Sequence, residues 1–419
     1  RGGATTFSNS LTLGDGATLT MTTGAITSAG AGLDVAIGGM GTLILNTTGA
    51  VGSAANPFAT SVASLGASNV GGDLYLDNGA AALTIGGALN AGGNAVTIST
   101  DEIEVASTIT AGAITLQPSS AGTTIGLNDA SGDFNLTSAE LANLNTAGPV
   151  VIGREGGAGA IFIGSQGPLN LSSKAYDLTI RGGDLTFADT LTLRDNGILR
   201  LFTGAVTSAR AGLDVVIGGD GSLLLDTTGA IGSAVNPLAT DIANLAARTS
   251  TGGVYVADVS GLTIASIGGV AGVDAAGAVV ILVAAGNLDT EAGATIAGSS
   301  VALAAGAGKI GGAGAVATRT GMLIAAADTG IDIANTNATL TATLNSNSGM
   351  ARLTTTGQLF SGGAWSADTI DLSATGLILT HALTSTGETA IRRSSAGTIG
   401  VGDGAGDMVF SGSELQLIT

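Results

Sequence analysis

Short apolar–x–apolar triplets recur along the chain. They include Leu74-Tyr75-Leu76, Leu83-Thr84-Ile85, Val96-Thr97-Ile98, Ile103-Glu104-Val105, Ile114-Thr115-Leu116, Ile125-Gly126-Leu127 and Phe134-Asn135-Leu136. Their starts lie 9, 13, 7, 11, 11 and 9 residues apart. A period of two places two side chains inward and one outward on a strand. Gly, Asn, Asp and Ser fill the gaps, where turns are expected. Two or three such strands make one coil of roughly 20 residues, the signature of a solenoid.

Internal copies support this. Thr23–Ala50 reads TGAITSAGAGLDVAIGGMGTLILNTTGA, and Thr203–Ala230 reads TGAVTSARAGLDVVIGGDGSLLLDTTGA; at an offset of 180, 21 of 28 positions are identical. The match runs back to Arg1-Gly2-Gly3 against Arg181-Gly182-Gly183, and forward to Tyr75 and Tyr255. A second pair, Ser119–Leu141 and Ser394–Leu415, has an offset of 274 between Glu140 and Glu414. The second unit has therefore gained 94 residues, between about Ile264 and Leu383. A solenoid absorbs such an insertion because each coil touches only its neighbours. The expected organisation is a first unit over 1–180 and a longer, truncated second unit over 181–419, continuous as one rod.

Substitutions between the copies suggest facing. Ile26→Val206, Ala36→Val216 and Ile44→Leu224 stay apolar and are expected inside. Gly30→Arg210, Met40→Asp220 and Asn46→Asp226 are expected to meet water. Ile44 and Asn46 would share one face of a strand, so a turn is expected near Asn46. Val51–Ala67 and Ile231–Ala247 carry Pro and Asn, then helix-like spacings Val62, Leu65 and Ile242, Leu245. Loops or one-turn helices are expected there. Thr137-Ser138-Ala139-Glu140 and Ser411-Gly412-Ser413-Glu414 read as capping boxes. The fold expected is all-β: a parallel β-helix, right-handed by the usual crossover preference.

Composition narrows the picture. The 419 residues include 70 Gly, 5 Pro, 1 His, 1 Trp and no Cys, with 45% hydrophobic but only 3% aromatic residues. This suits a thin core of Ala, Val, Ile and Leu rather than a broad aromatic one. Disorder and collagen do not fit. Disulfides and Cys-based zinc sites have no residues to form them. With 13 Lys and Arg against 31 Asp and Glu, net −18, a nucleic-acid partner is not expected. The most apolar stretch, Ala275–Gly286, is shorter than the ~18 residues of a spanning helix and follows Asp274, so no membrane insertion is expected. The chain begins at Arg1 without Met and is read as a fragment.

These Gly-, Ala-, Thr- and Asn-rich coils of unequal length, with long internal copies and no Cys, resemble large secreted β-helical exoproteins of filamentous-haemagglutinin type. The stretch from Thr124-Ile125-Gly126-Leu127 through Leu136-Thr137-Ser138-Ala139-Glu140-Leu141 to Val151-Ile152-Gly153 is similar to a repeat of giant members of that group. The resemblance implies a Gram-negative cell surface, export through an outer-membrane pore, and adhesion or surface assembly. The family's N-terminal secretion domain is not in this chain.

Little chemistry is legible. His381 is expected in a surface or turn position, and no G-x-S-x-G elbow supports a serine nucleophile. The best carboxylate pairs for a β-helical glycosidase are Asp129 with Asp133 and Asp403 with Asp407. Both sit in Gly/Asn/Ser turns, where Asp is favoured for backbone hydrogen bonding. Gly218-Gly219-Asp220-Gly221 starts like a calcium nonapeptide, but it occurs once and its copy has Met40 for Asp220. Gly153-Arg154-Glu155-Gly156-Gly157 lacks the P-loop Lys-Ser/Thr. Thr rows near Thr18–Thr22 and Leu340–Thr343 lack the constant spacing of an ice-binding face. Trp365 is expected in the core or at an edge rather than as a glycan platform. No catalytic, cofactor-binding or metal residue is assigned, and no enzyme is expected. The functional expectation is an extracellular, adhesive or structural fibre segment, contacting itself or a host or neighbouring cell surface. The alternatives are a polysaccharide-active β-helix or a passive spacer.

Overall fold

The computed structural model describes residues 2–30, 32–402 and 404–419. It is all-β: parallel strands stack into a solenoid of about 18 turns with about 21 residues per turn, with two short helices among the described residues. Contacts divide the chain into two compact units, Arg1–Gly204 and Ala205–Thr419. Residues 181–204, which open the second sequence repeat, belong to the first unit.

In the first unit one inward column runs Leu74, Val96, Ile114, Val150, Leu178, Leu199, each paired in parallel register with the next. Successive turns thus take 22, 18, 36, 28 and 21 residues. In the second unit the corresponding column runs Val254, Val280, Val301, Leu323, Ala342. Each inward side chain stacks on its counterpart one turn away, so small aliphatic residues suffice to exclude water. The widest fully buried side chains, Trp365, Tyr176, Phe58, Phe134 and Phe187, are few.

Both capping boxes form. Thr137 caps the one-turn helix Ser138–Ala142, and Ser411 caps Gly412–Leu415. The first helix sits in the 36-residue turn between Ile114 and Val150.

Three expectations need correction. Val62, Leu65, Ile242 and Leu245 are not helical. They are buried along extended chain around the strands Phe58–Ser61, Ser64–Leu65, Leu238–Asp241 and Asn244–Thr249. Alternate burial decides here, and the helix-like spacing was incidental. Ala36 and Val216 point outward, between buried Val35 and Ile37 and between Val215 and Ile217. No turn starts at Asn46: the strand Thr42–Thr47 continues, with Ile44 and Asn46 both on its outer face. The apolar substitution Ile44→Leu224 thus occurs outside the core. In the second copy Leu224 is nevertheless buried, through the inserted segment. The antiparallel hairpin Ser266–Ile267 with Val270–Asp274 folds over the outer face of the second unit. It buries Leu224 and Ala246, which are 1% and 0% exposed.

The two copies also differ beside Gly66. Ser64–Leu65 and Ser68–Val70 are interrupted strands in the first unit, where the second has the continuous strand Asn244–Thr249. At the interruption the Ser68 hydroxyl accepts from Leu45 N at 3.0 Å, replacing a lost ladder carbonyl.

Candidate functional site

The sequence candidates fall into structural roles. Asp129 is 2% exposed. Its Oδ1 accepts from Ser131 N at 2.8 Å, and its Oδ2 from Ser165 N at 2.9 Å. Burial pushes this carboxyl up, but the Ser131 and Ser165 donors outweigh it and hold Asp129 below the ordinary carboxylate range. Asp133 turns to a different partner, accepting from Thr124 Oγ1 at 2.9 Å. Asp407 repeats that contact: its Oδ2 accepts from Thr398 N at 2.8 Å and Oγ1 at 3.2 Å. Those bonds and the charge of Arg393 hold Asp407 low. Asp403 lies outside the described residues. Both oxygens of Asp129 are thus bound to main-chain donors, the arrangement of a turn staple.

His381 is exposed, and its Nδ1 lies 3.1 Å from Ser361 O and 3.0 Å from Thr380 Oγ1. Trp365 is 1% exposed and donates from Nε1 to Ala342 O at 2.9 Å, so it is a core residue and not a surface platform. Met40 is 83% exposed and Asp220 is also exposed, each following a glycine at positive φ in its turn. Among the described residues no group of three or more His, Asp and Glu is placed to hold a metal ion. No helix among them is long and apolar enough to cross a membrane.

The structure brings together groups that the sequence reading missed. Glu140 completes its capping box through Oε2, which accepts from Thr137 N at 2.8 Å. Its Oε1 accepts from Val105 N at 2.8 Å, 35 residues back. Glu414 repeats the clamp on Leu379 N at 3.1 Å, again 35 residues back. The cap therefore also ties the helix to another turn. Replacing Glu140 with alanine is expected to lower stability by about 2 kcal/mol, because it removes charge-assisted bonds and orphans a half-buried N–H. Chemical denaturation checks this, with Glu414→Ala as the parallel case.

On the outside of the second unit, Asp332, Arg352, Asp371 and Arg392 alternate in sign across successive turns. Arg352 lies 3.6 Å from Asp332 and 3.3 Å from Asp371, which also contacts Arg392. The cations are neutralised by neighbouring turns, so the ladder stitches coils together.

Two buried carboxylates have matching partners. Ser208 Oγ and Ala239 N donate to Asp214 at 2.7 and 2.9 Å, as Ser28 Oγ and Ala59 N do to Asp34 at 3.0 and 2.9 Å. Burial raises Asp214 despite these donors and Arg210, and burial likewise raises Asp332 despite Arg352. Asp101, Asp129, Asp407 and Glu414 are held low instead. For the low group, stability is fully present above the ordinary values of 3.8 and 4.5 and lost as pH falls through the depressed ones. For the raised pair the sign reverses: ionisation in the folded chain opposes stability, and protonation relieves it as pH falls toward 3.8. The melting temperature is therefore expected to hold or rise from pH 7 to about 5 and to drop only below about 4. Circular-dichroism melts across that range check this; a fall already complete by about pH 5 contradicts it.

No protein-family model, curated protein or solved structure matches the chain.

Proposed function

We propose that this chain is a non-catalytic, structural and adhesive segment of an extracellular surface fibre. The observation that carries the reading is how the solenoid uses its polar residues. The candidate acids Asp129, Asp133 and Asp407 are bonded to main-chain or threonine donors, and the Arg352 and Asp371 side chains cross-link turns. A β-solenoid built this way presents an ordered surface held by backbone ladders, suited to bearing load and displaying contacts. The filamentous-haemagglutinin-type resemblance supports a secreted location on a Gram-negative cell. The excess of 31 acids over 13 bases favours solubility of such a surface.

Immuno-electron microscopy of the native cells tests this. Antibodies to the folded chain are expected to decorate filaments outside the cell. Label confined to the interior overturns the reading.

A further inference from the structure

One outer sheet face of the second unit is uncharged and mostly apolar. Its strands are Val254–Asp258, Val279–Ala284, Ser300–Ala305, Met322–Ala327, Thr339–Ser346 and Gln358–Ser361, paired in parallel register. Three outward rows cross them. One runs Val279, Ser300, Met322, Thr341, Phe360 and continues to Ile378. The next runs Tyr255, Ile281, Ala302, Ile324, Thr343. The third runs Ala257, Val283, Ala304, Ala326, Asn345. No row contains an ionisable carboxylate or a cation, in a chain of net charge −18. Val283, Ile378, Met322 and Ile324 are 39%, 40%, 47% and 48% exposed. The neighbouring sheet of the same turns carries the Asp332–Arg352–Asp371 ladder instead.

The rows have relief. Ser300, Ala302 and Ala304 are the outward residues of one strand and form a furrow of small side chains. Val279, Ile281 and Val283 stand on one side of it, and Met322 and Ile324 on the other.

We propose that this face binds a second copy of the same chain, face to face about a two-fold axis, with the Met322–Ile324 ridge of each copy in the Ser300–Ala302–Ala304 furrow of the other. The inference goes beyond the fibre reading and stands without it. Three observations select a second copy. Ridge and furrow lie side by side on one surface, so the surface is self-complementary under a two-fold. Two copies of a strongly acidic chain repel wherever their charges face, and this patch has none to face. The area also suffices. The sixteen outward positions of the three rows, each about 4.8 Å by 6.8 Å, span about 520 Å² per copy. The pair then buries about 1,000 Å², the floor for a biological interface.

Sedimentation velocity on the full chain tests this at concentrations up to about 100 µM. The wild type is expected to sediment as a dimer of the 39.9 kDa chain and to remain so in about 1 M NaCl. Ile324→Glu, which places like charges on the contact, and Ala302→Arg, which fills the furrow, are each expected to yield monomers with unchanged circular dichroism. Ala326→Lys, at an exposed alanine, keeps the test decisive if either larger change disturbs folding. A wild type that stays monomeric overturns the proposal. So does a dimer that survives all folded variants, which places association elsewhere, or one that dissolves in salt, which places it on the charged ladder.

Discussion

Replacing Asn78 with alanine is expected to destabilise the first unit by about 3 kcal/mol. Asn78 is 1% exposed. Its Oδ1 accepts from Thr60 Oγ1 and Val62 N, both at 2.9 Å, and its Nδ2 donates to Val62 O at 3.0 Å. Alanine orphans a hydroxyl, an amide and a carbonyl inside the solenoid, where no competing solvent repairs them. The Val62 amide reports this directly, and its hydrogen exchange is expected to quicken about a hundredfold. The same corner recurs in the second unit. Asp258 Oδ2 accepts from Thr240 Oγ1 at 2.8 Å and from Ile242 N at 3.0 Å. A third instance lies in the inserted segment, where Asn335 Oδ1 accepts from Thr318 Oγ1 and Thr320 N, both at 3.1 Å. The Asn/Asp exchange follows its surroundings. Ser260 supplies N–H and O–H donors to Asp258 Oδ1 at 2.8 and 2.7 Å, whereas Asn78 Nδ2 faces the carbonyls of Val62, Ala81 and Ala82. Asn78→Asp is accordingly expected to be nearly as damaging as alanine at neutral pH, since an ionised carboxylate there meets carbonyl oxygens.

Gly153→Ala is expected to destabilise by about 3 kcal/mol or more, through two independent causes. Gly153 has φ +90°, a conformation disfavoured for any L side chain. A Cβ there would also lie 1.9 Å from the carbonyl oxygen of Arg181 on the next turn. That atom is backbone, fixed by pairing of Leu178–Arg181 with its neighbours, so it cannot swing away. Gly93 provides the control, because a Cβ there meets nothing within 4 Å. Gly93→Ala is expected to change stability by less than about 0.5 kcal/mol. Urea denaturation followed by circular dichroism distinguishes the two.

The solenoid was legible because its signal is redundant. Triplets such as Val96-Thr97-Ile98 and Ile114-Thr115-Leu116 are register partners, as their alternation predicts. The capping boxes at Thr137 and Ser411 were legible because a four-residue motif suffices for a local bond. Facing was harder to read. Ile44 and Ala36 kept apolar character between copies while pointing outward, because an outer strand face tolerates apolar residues. Leu224 is outward and yet buried, and only the hairpin at Ser266–Asp274 explains it. Contacts between turns were not legible at all. Glu140 reaches Val105, and Asn78 reaches Thr60, across separations set by coil length rather than by a local motif. The Thr-to-Asn/Asp spacing of 18, 18 and 17 residues was the available signal for the buried corner. The uncharged face around Ile324 was hidden for the same reason, since its rows are assembled from residues about one coil apart.

The proposed function has this chain act by surface contact and not by turnover. The most direct test coats beads with the purified chain and presents them to host cells, to neighbouring bacterial cells and to a panel of surface polysaccharides. Bead retention and released reducing ends are measured on the same samples. Retention without release, unchanged by Asp129→Asn, is the predicted result. Release of reducing ends that is lost in Asp129→Asn would contradict it.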